Sequence, residues 1–201
     1  MKKIETIWHH LLYEALETKT FRHTQQELAA RFDYSLSTVN HALNAPSAIG
    51  AVRKASKFFI LEDYTKLLYY WASVRNLEKD ILYAAYLDQP IAQLEGLVPD
   101  GAIYGAYTAA KHYLGEPPAD YAKVYFYCDR NRIDEVKQRF PPATGPRQQP
   151  NVLVLALSEM TVQAGGYTTL PQTFVDLWNC KDWYAKDFTK ALEEKMYAIL
   201  S

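Results

Sequence analysis

Between Ser35 and Asn44 the chain reads S-L-S-T-V-N-H-A-L-N. Hydroxyls, carboxamides and one imidazole alternate there with Leu36, Val39 and Leu43. At about 100° per residue a helix carries the three apolar side chains on one side. Ser37, Thr38 and His41 fall on the opposite side, and Asn40 and Asn44 lie toward its flank. Short polar side chains on an exposed helix can approach a groove closely and offer donors and acceptors to base edges and phosphates. Shortly after, Arg53, Lys54 and Lys57 put three positive charges into five residues with no acid among them. Cations so placed can hold phosphates and orient a neighbouring helix without reading sequence. The chemistry these stretches could do is recognition of double-stranded DNA. The candidate DNA-binding residues are Ser35, Ser37, Thr38, Asn40, His41, Arg53, Lys54 and Lys57. The blander alternatives are an amphipathic helical hairpin and a solvated hairpin tip.

Other reactive types do not form sets. Cys128 and Cys180 are far apart, with no CxxC or Cys/His ligand spacing, so no zinc site is expected. His9 and His10 lie off the centre of a helix face with no third ligand nearby, and exposed helix histidines are common. In the second half, His112 sits at helical spacing in an aromatic stretch. Cys128 reads as a small hydrophobe at a strand end. Ser158 and Glu159 have no spacing that asks for a triad with His112. No catalytic residue, metal or cofactor is expected.

The elements that must position the first set follow from periodicity. Ile4, Ile7, Trp8, Leu11, Leu12, Ala15 and Leu16 give one buried helix face over 4–17. Thr24 with Glu27 is a capping-box signature, and it opens a helix with Leu28, Ala29 and Phe32 inward. Asp33-Tyr34 make a turn, and Ser35 or Ser37 caps the next helix. N-A-P-S-A at 44–48 breaks that helix. Two short apolar runs around a Lys/Ser tip, from Ile49 to Leu61, read as a β-hairpin. Asp63 caps a further helix to about Val74, and a polar R-N-L-E-K at 75–79 marks a domain boundary.

Residues 4–62 resemble a winged helix-turn-helix domain of the bacterial and archaeal regulator type. The resemblance is carried by E-L-A-A-R-F-D-Y-S-L-S-T-V-N-H-A-L and the hairpin behind it. Asp33 stands where a glycine often opens the turn; Asp also tolerates a left-handed backbone. Charge agrees weakly. Residues 1–62 hold eight Lys/Arg against six Asp/Glu, or +2, and the remainder is −3. The whole chain, at −1, is no polyanion binder by bulk charge. No run approaches the roughly 18 apolar residues of a membrane span, and the first residues lack an apolar signal core. A cytoplasmic protein with no membrane partner is expected.

From residue 80 the pattern alternates between strands and helices. D-I-L-Y-A-A-Y reads as a strand and Pro90–Leu97 as a short helix. G-A-I-Y-G-A-Y-T-A-A-K-H-Y-L-G reads as a strand turning into a helix that stops at Gly115. A-K-V-Y-F-Y-C is a strand, Arg132–Phe140 a short helix or loop, and P-P-A-T-G-P-R-Q-Q-P a connection. N-V-L-V-L-A-L is a central strand. Pro171 starts one helix, and Asp182 caps a last one to about Leu200. The turn G-A-I-Y-G-A-Y-T-A-A looks like the strand-to-helix turn of the nucleotidyltransferase fold. The carboxylate pair such enzymes need for metal ions is missing, since only Asp129, beside Arg130, follows the later strand.

The series G-A-I-Y-G-A-Y-T-A-A-K-H-Y-L-G, Y-A-K-V-Y-F-Y-C-D, N-V-L-V-L and T-T-L-P-Q-T-F-V-D-L-W-N resembles AbiEi-type proteins over nearly the whole chain. Its sharpest piece is P-Q-T-F-V-D-L-W-N. These proteins are the antitoxin and regulator partners of type IV toxin–antitoxin systems. The resemblance implies an α+β protein: a winged helix-turn-helix domain over 1–76, then a small α/β nucleotidyltransferase-like domain without its active site, closed by C-terminal helices, over 77–201. It further implies a sequence-specific transcriptional regulator, an autoregulating antitoxin binding its own promoter at repeated sites. The second domain would serve to neutralise a cognate nucleotidyltransferase toxin or to form a homodimer. Two alternatives stand beside it. One is a ligand-sensing regulator with Tyr104, Tyr107, Tyr113, Tyr125 and Tyr127 lining a pocket. The other is an active nucleotidyltransferase.

Overall fold

The computed structural model describes residues 2–142, 148–158 and 165–201. Part of the proline-rich connection and Glu159 lie outside the described residues. The fold is α+β, and the chain divides into two compact units, residues 1–75 with 196–201, and residues 76–195. The last six residues, which the sequence reading gives to the second domain, therefore group with the first unit.

The first unit opens with α1 (Lys3–Glu17). Its periodic apolar side chains, Ile7, Trp8, Leu11, Leu12 and Ala15 among them, are buried. A two-residue strand β1 (Arg22–His23) follows, then α2 (Gln25–Phe32), α3 (Leu36–Ala48), β2 (Val52–Lys54), β3 (Phe59–Leu61) and α4 (Tyr64–Val74). The capping box at Thr24 is present: Thr24 Oγ1 accepts from the Glu27 N–H at 3.1 Å, and Glu27 Oε2 accepts from the Thr24 N–H at 3.0 Å. Asp33 takes the left-handed conformation at φ 51° and ψ 47°, and lets Tyr34 N–H return to the Ala29 carbonyl at 2.9 Å. The sheet order is β1-β3-β2, with both pairs antiparallel. The strand β1 had no sequence signal, being only two residues long.

Three further findings differ from the sequence expectation. His9 and His10 are buried rather than exposed. Their rings pack on aromatic neighbours, His9 against Trp71 and His10 against Phe32 and His23. Arg75, in the stretch read as a polar boundary, is buried against Glu5, with Nη1 3.5 Å from Oε2. The same Glu5 oxygen accepts from the Trp71 indole at 3.2 Å, so a buried acid is compensated rather than stranded. The third difference, at Pro46, bears on the site and is described with it.

The second unit is a four-stranded mixed sheet ordered β4-β7-β6-β5. Its strands are β4 (Ile81–Ala85), β5 (Ile103–Gly105), β6 (Val124–Cys128) and β7 (Val152–Ala156). The two central strands, β6 and β7, run parallel and the outer pairings are antiparallel. The helices are α5 (Ile91–Gly96), α6 (Ala106–Leu114), α7 (Ile133–Arg139), α8 (Leu170–Trp178) and α9 (Ala185–Leu200), the last of which ends, from Met196 on, in residues that group with the first unit. Strand β6 is buried at every residue, because both its faces are covered. Val124, Phe126 and Cys128 join Leu94, Val136 and Phe140 in one core. Tyr125 and Tyr127 face the other way. There Tyr127 Oη donates to the buried Asp176 carboxylate at 2.5 Å, and Tyr107 Oη donates to Asp182 at 2.9 Å. Asp182, expected as a helix cap, instead accepts from Tyr107 and from Lys123 Nζ at 2.6 Å.

Candidate nucleic-acid interface

Helix α3 is fixed at its start by Ser35, whose Oγ accepts from the Thr38 N–H at 3.1 Å. The Ser35 and Thr38 hydroxyls are also 2.9 Å apart. The bond from the Thr38 N–H is the one an N-cap requires, and the two hydroxyls are in addition engaged with each other. Ser37 and His41 face solvent, and their side chains make no hydrogen bond or ion pair among the described residues. Asn40 and Asn44 are exposed beside them, and the four side chains form one stripe at i, i+3, i+4 and i+7. The opposite stripe, Val39, Ala42 and Leu43, is buried. Leu36, expected with it, is 50% exposed. It borders a cleft of about 440 Å³ between Thr24, Gln25 and Gln26 and the hairpin tip at Ser56, Lys57 and Phe58.

Residues 44–48 do not break the helix. Pro46 lies inside α3 and is buried. Proline has no N–H, so the carbonyl of Ala42, four residues back, loses its usual donor. The indole N–H of Trp8, from α1, donates to that carbonyl at 2.7 Å. One tertiary hydrogen bond therefore fills the vacancy that proline leaves and ties α3 to α1.

The hairpin splits the three cations that the sequence groups together. In β2, Val52 points into the core, and alternation along the strand puts Lys54 on the same face and Arg53 on the other. Arg53 pairs with Glu62 at the surface. Lys54 reaches α3, where its ammonium donates to Asn40 Oδ1 at 3.0 Å and to Asn44 Oδ1 at 2.8 Å. Lys57 is exposed in the tip, which Ala55 N–H closes by donating to the Phe58 carbonyl at 2.8 Å. Among the described residues its ammonium has no acidic partner. The candidate set thus separates by engagement. Ser37, His41 and Lys57 are open to solvent, Lys54 and Asn40 bind each other, and Ser35 with Thr38 and Arg53 with Glu62 are locally paired. The partners that sequence reasoning missed are Glu62 and the second carboxamide, Asn44. Neither pairing has a local signature, because each joins residues nine or more apart in sequence.

The second unit offers other chemistry, weakly assembled. Of the five tyrosines that could line a pocket, Tyr107, Tyr125 and Tyr127 are buried, and Tyr113 donates to the Thr168 carbonyl at 2.8 Å. Tyr104 borders a cleft of about 370 Å³ with Glu95, Thr108, Lys111, His112 and Tyr167. In that cleft His112 stacks on Tyr167 with ring centroids 3.9 Å apart. Burial pushes the Cys128 thiol up and the Cys180 thiol up to about 12, which opposes the thiolate form a nucleophile needs. Among the described residues no three His, Cys, Asp or Glu side chains are placed to hold a metal ion. No helix among them is long and apolar enough to cross a membrane. No family model, curated protein or solved structure matches the chain.

Proposed function

We propose that the protein is a sequence-specific DNA-binding transcriptional regulator. In this reading its first unit is a winged helix-turn-helix, with α3 as the recognition helix and the β2–β3 hairpin as the wing. The observation that carries it is the exposed stripe Ser37, Asn40, His41 and Asn44, backed by a buried apolar stripe and flanked by a basic hairpin that reaches it through Lys54. A helix with these short polar groups outward suits the major groove. Lys57 sits where a phosphate-binding tip is needed.

The mixed sheet of the second unit, with its strand-to-helix turn at Gly105, supports a nucleotidyltransferase-like body. The resemblance to AbiEi-type proteins extends the reading to an autoregulating antitoxin of a type IV system. In that role the body acts by contact with a toxin or a second copy rather than by catalysis.

The test is an electrophoretic shift on the DNA just upstream of the protein's own gene. A retarded band at low salt is expected. Ser37→Ala and His41→Ala should each relax the preference among operator variants, by roughly 5- to 100-fold at the base pair that the side chain reads. No shift of any upstream fragment at low salt would sink the proposal. An enzyme-linked role would show itself separately, as Mg²⁺-dependent incorporation of a labelled nucleoside triphosphate.

A further inference from the structure

Lys54, at the end of β2, is exposed and yet its side chain is bound to α3. Its ammonium carries donors and no acceptor, so it can meet a carboxamide only at the oxygen. It does this twice, at Asn40 Oδ1 (3.0 Å) and Asn44 Oδ1 (2.8 Å). The two asparagines stand one helical turn apart, and the strand places Lys54 between them because residues 52 and 54 share a face. Charge-assisted bonds of this length are the stronger kind. With each oxygen held by Lys54, each –NH₂ is turned away from it. The stripe therefore presents two donor groups in a fixed orientation.

We infer that Lys54 is a positioning residue for base specificity, orienting Asn40 and Asn44 so that α3 reads acceptor-bearing base edges. This rests on the DNA-binding reading above and deepens it. A free asparagine recognises adenine bidentately, accepting from N6 while donating to N7. Asn40 and Asn44 have their acceptor committed to a cation, so the adenine pairing is disfavoured at the positions they face. Guanine offers two acceptors, O6 and N7, in the major groove, and suits them better. Lys54 thus selects between two bases without touching either.

Two measurements on the full chain test this. The first needs no DNA. In Lys54→Met, the side-chain amide NMR signals of Asn40 and Asn44 should shift and average, whereas Lys57→Met should leave them in place. The second is selection from a randomised operator pool. The wild-type protein should prefer guanine at the positions facing Asn40 and Asn44. Lys54→Met should move that preference toward adenine, changing the ratio by about tenfold, and Lys54→Arg should keep guanine. Lys57→Met should weaken all sequences alike and flatten the salt dependence. The inference is overturned if Lys54→Met keeps the wild-type base preference and loses only uniform affinity. Unmoved Asn40 and Asn44 amide signals overturn it independently. A wild-type protein that shifts no DNA overturns the regulator reading as well, whereas a protein that selects its operator through Lys54→Met unchanged overturns only this inference.

Discussion

Protonating His9 would place a charge in a space filled by Trp71 and Tyr13 rings. Burial alone holds its pKa down to about 4. His10 is held down to about 3, first by burial and then by the positive charge of Arg31 and the neighbouring His23 and His9. Glu14, 3.8 Å from His10 Nδ1, does not offset them. His23 is lowered too, chiefly by burial. A chain unfolded at pH 5 protonates these imidazoles freely, near pH 6.5, while the folded chain does not. Stability is therefore complete above about pH 6.5, falls as pH drops below it, and levels off near pH 3–4. Each of His9 and His10 should cost on the order of 2 kcal/mol between pH 7 and pH 5. Urea midpoints measured across that range should fall, and His9→Phe, which keeps an aromatic ring in the slot, should shallow the decline. An identical pH profile in the variant would mean that His9 is not the group responsible.

At the scale of the element, α3 owes its length to a residue outside it. Removing the Trp8 donor leaves the Ala42 carbonyl without a partner in the core, a loss of about 1–3 kcal/mol. Trp8→Phe should therefore destabilise the first unit beyond what the change in ring size explains. Pro46→Ala supplies an N–H to the same carbonyl from within the helix. In that background Trp8→Phe should cost measurably less, and the double-mutant cycle should show coupling of at least about 0.5 kcal/mol. Additive effects in thermal or urea unfolding would show that the indole does not serve the carbonyl that proline leaves open. This is also where the sequence stops being legible. The apolar period of α1, the Thr24–Glu27 box and the apolar run of β7 are local signals, and each corresponds to an element of the structure. Pro46 reads locally as a helix breaker, and only a donor 34 residues away reverses that. The burial of His9 and His10 depends on α4 and β1 closing over them. The pairing of Arg53 with Glu62 depends on hairpin register, and the adjacent Arg53 and Lys54 end on opposite faces of β2 while Lys57 lies in the tip.

For the whole molecule, electrostatics decide how the proposed DNA contact can work. A chain of net charge −1 with only +2 on residues 1–62 gains little from long-range attraction. Contact with DNA must then come from a few local phosphates and from fit in the groove. Each phosphate neutralised contributes about −0.9 to the slope of log K against log salt. With Arg53 paired to Glu62 and Lys54 turned to α3, Lys57 is the one wing cation among the described residues with no protein partner. A shallow slope follows. Glu62→Gln removes the acid that competes for Arg53. The Arg53–Glu62 pair is exposed at both ends, 55% and 43%, so breaking it should alter stability by less than about 1 kcal/mol. DNA binding should respond more. Affinity at low salt should rise several-fold, and the slope should steepen by about 1 as Arg53 takes a phosphate. Titrations at several salt concentrations separate the outcomes. A steeper slope in Glu62→Gln, lost again in Glu62→Gln with Arg53→Ala, places Arg53 against the DNA backbone. An unchanged slope in Glu62→Gln assigns Arg53 to the hairpin alone and leaves phosphate binding to the tip.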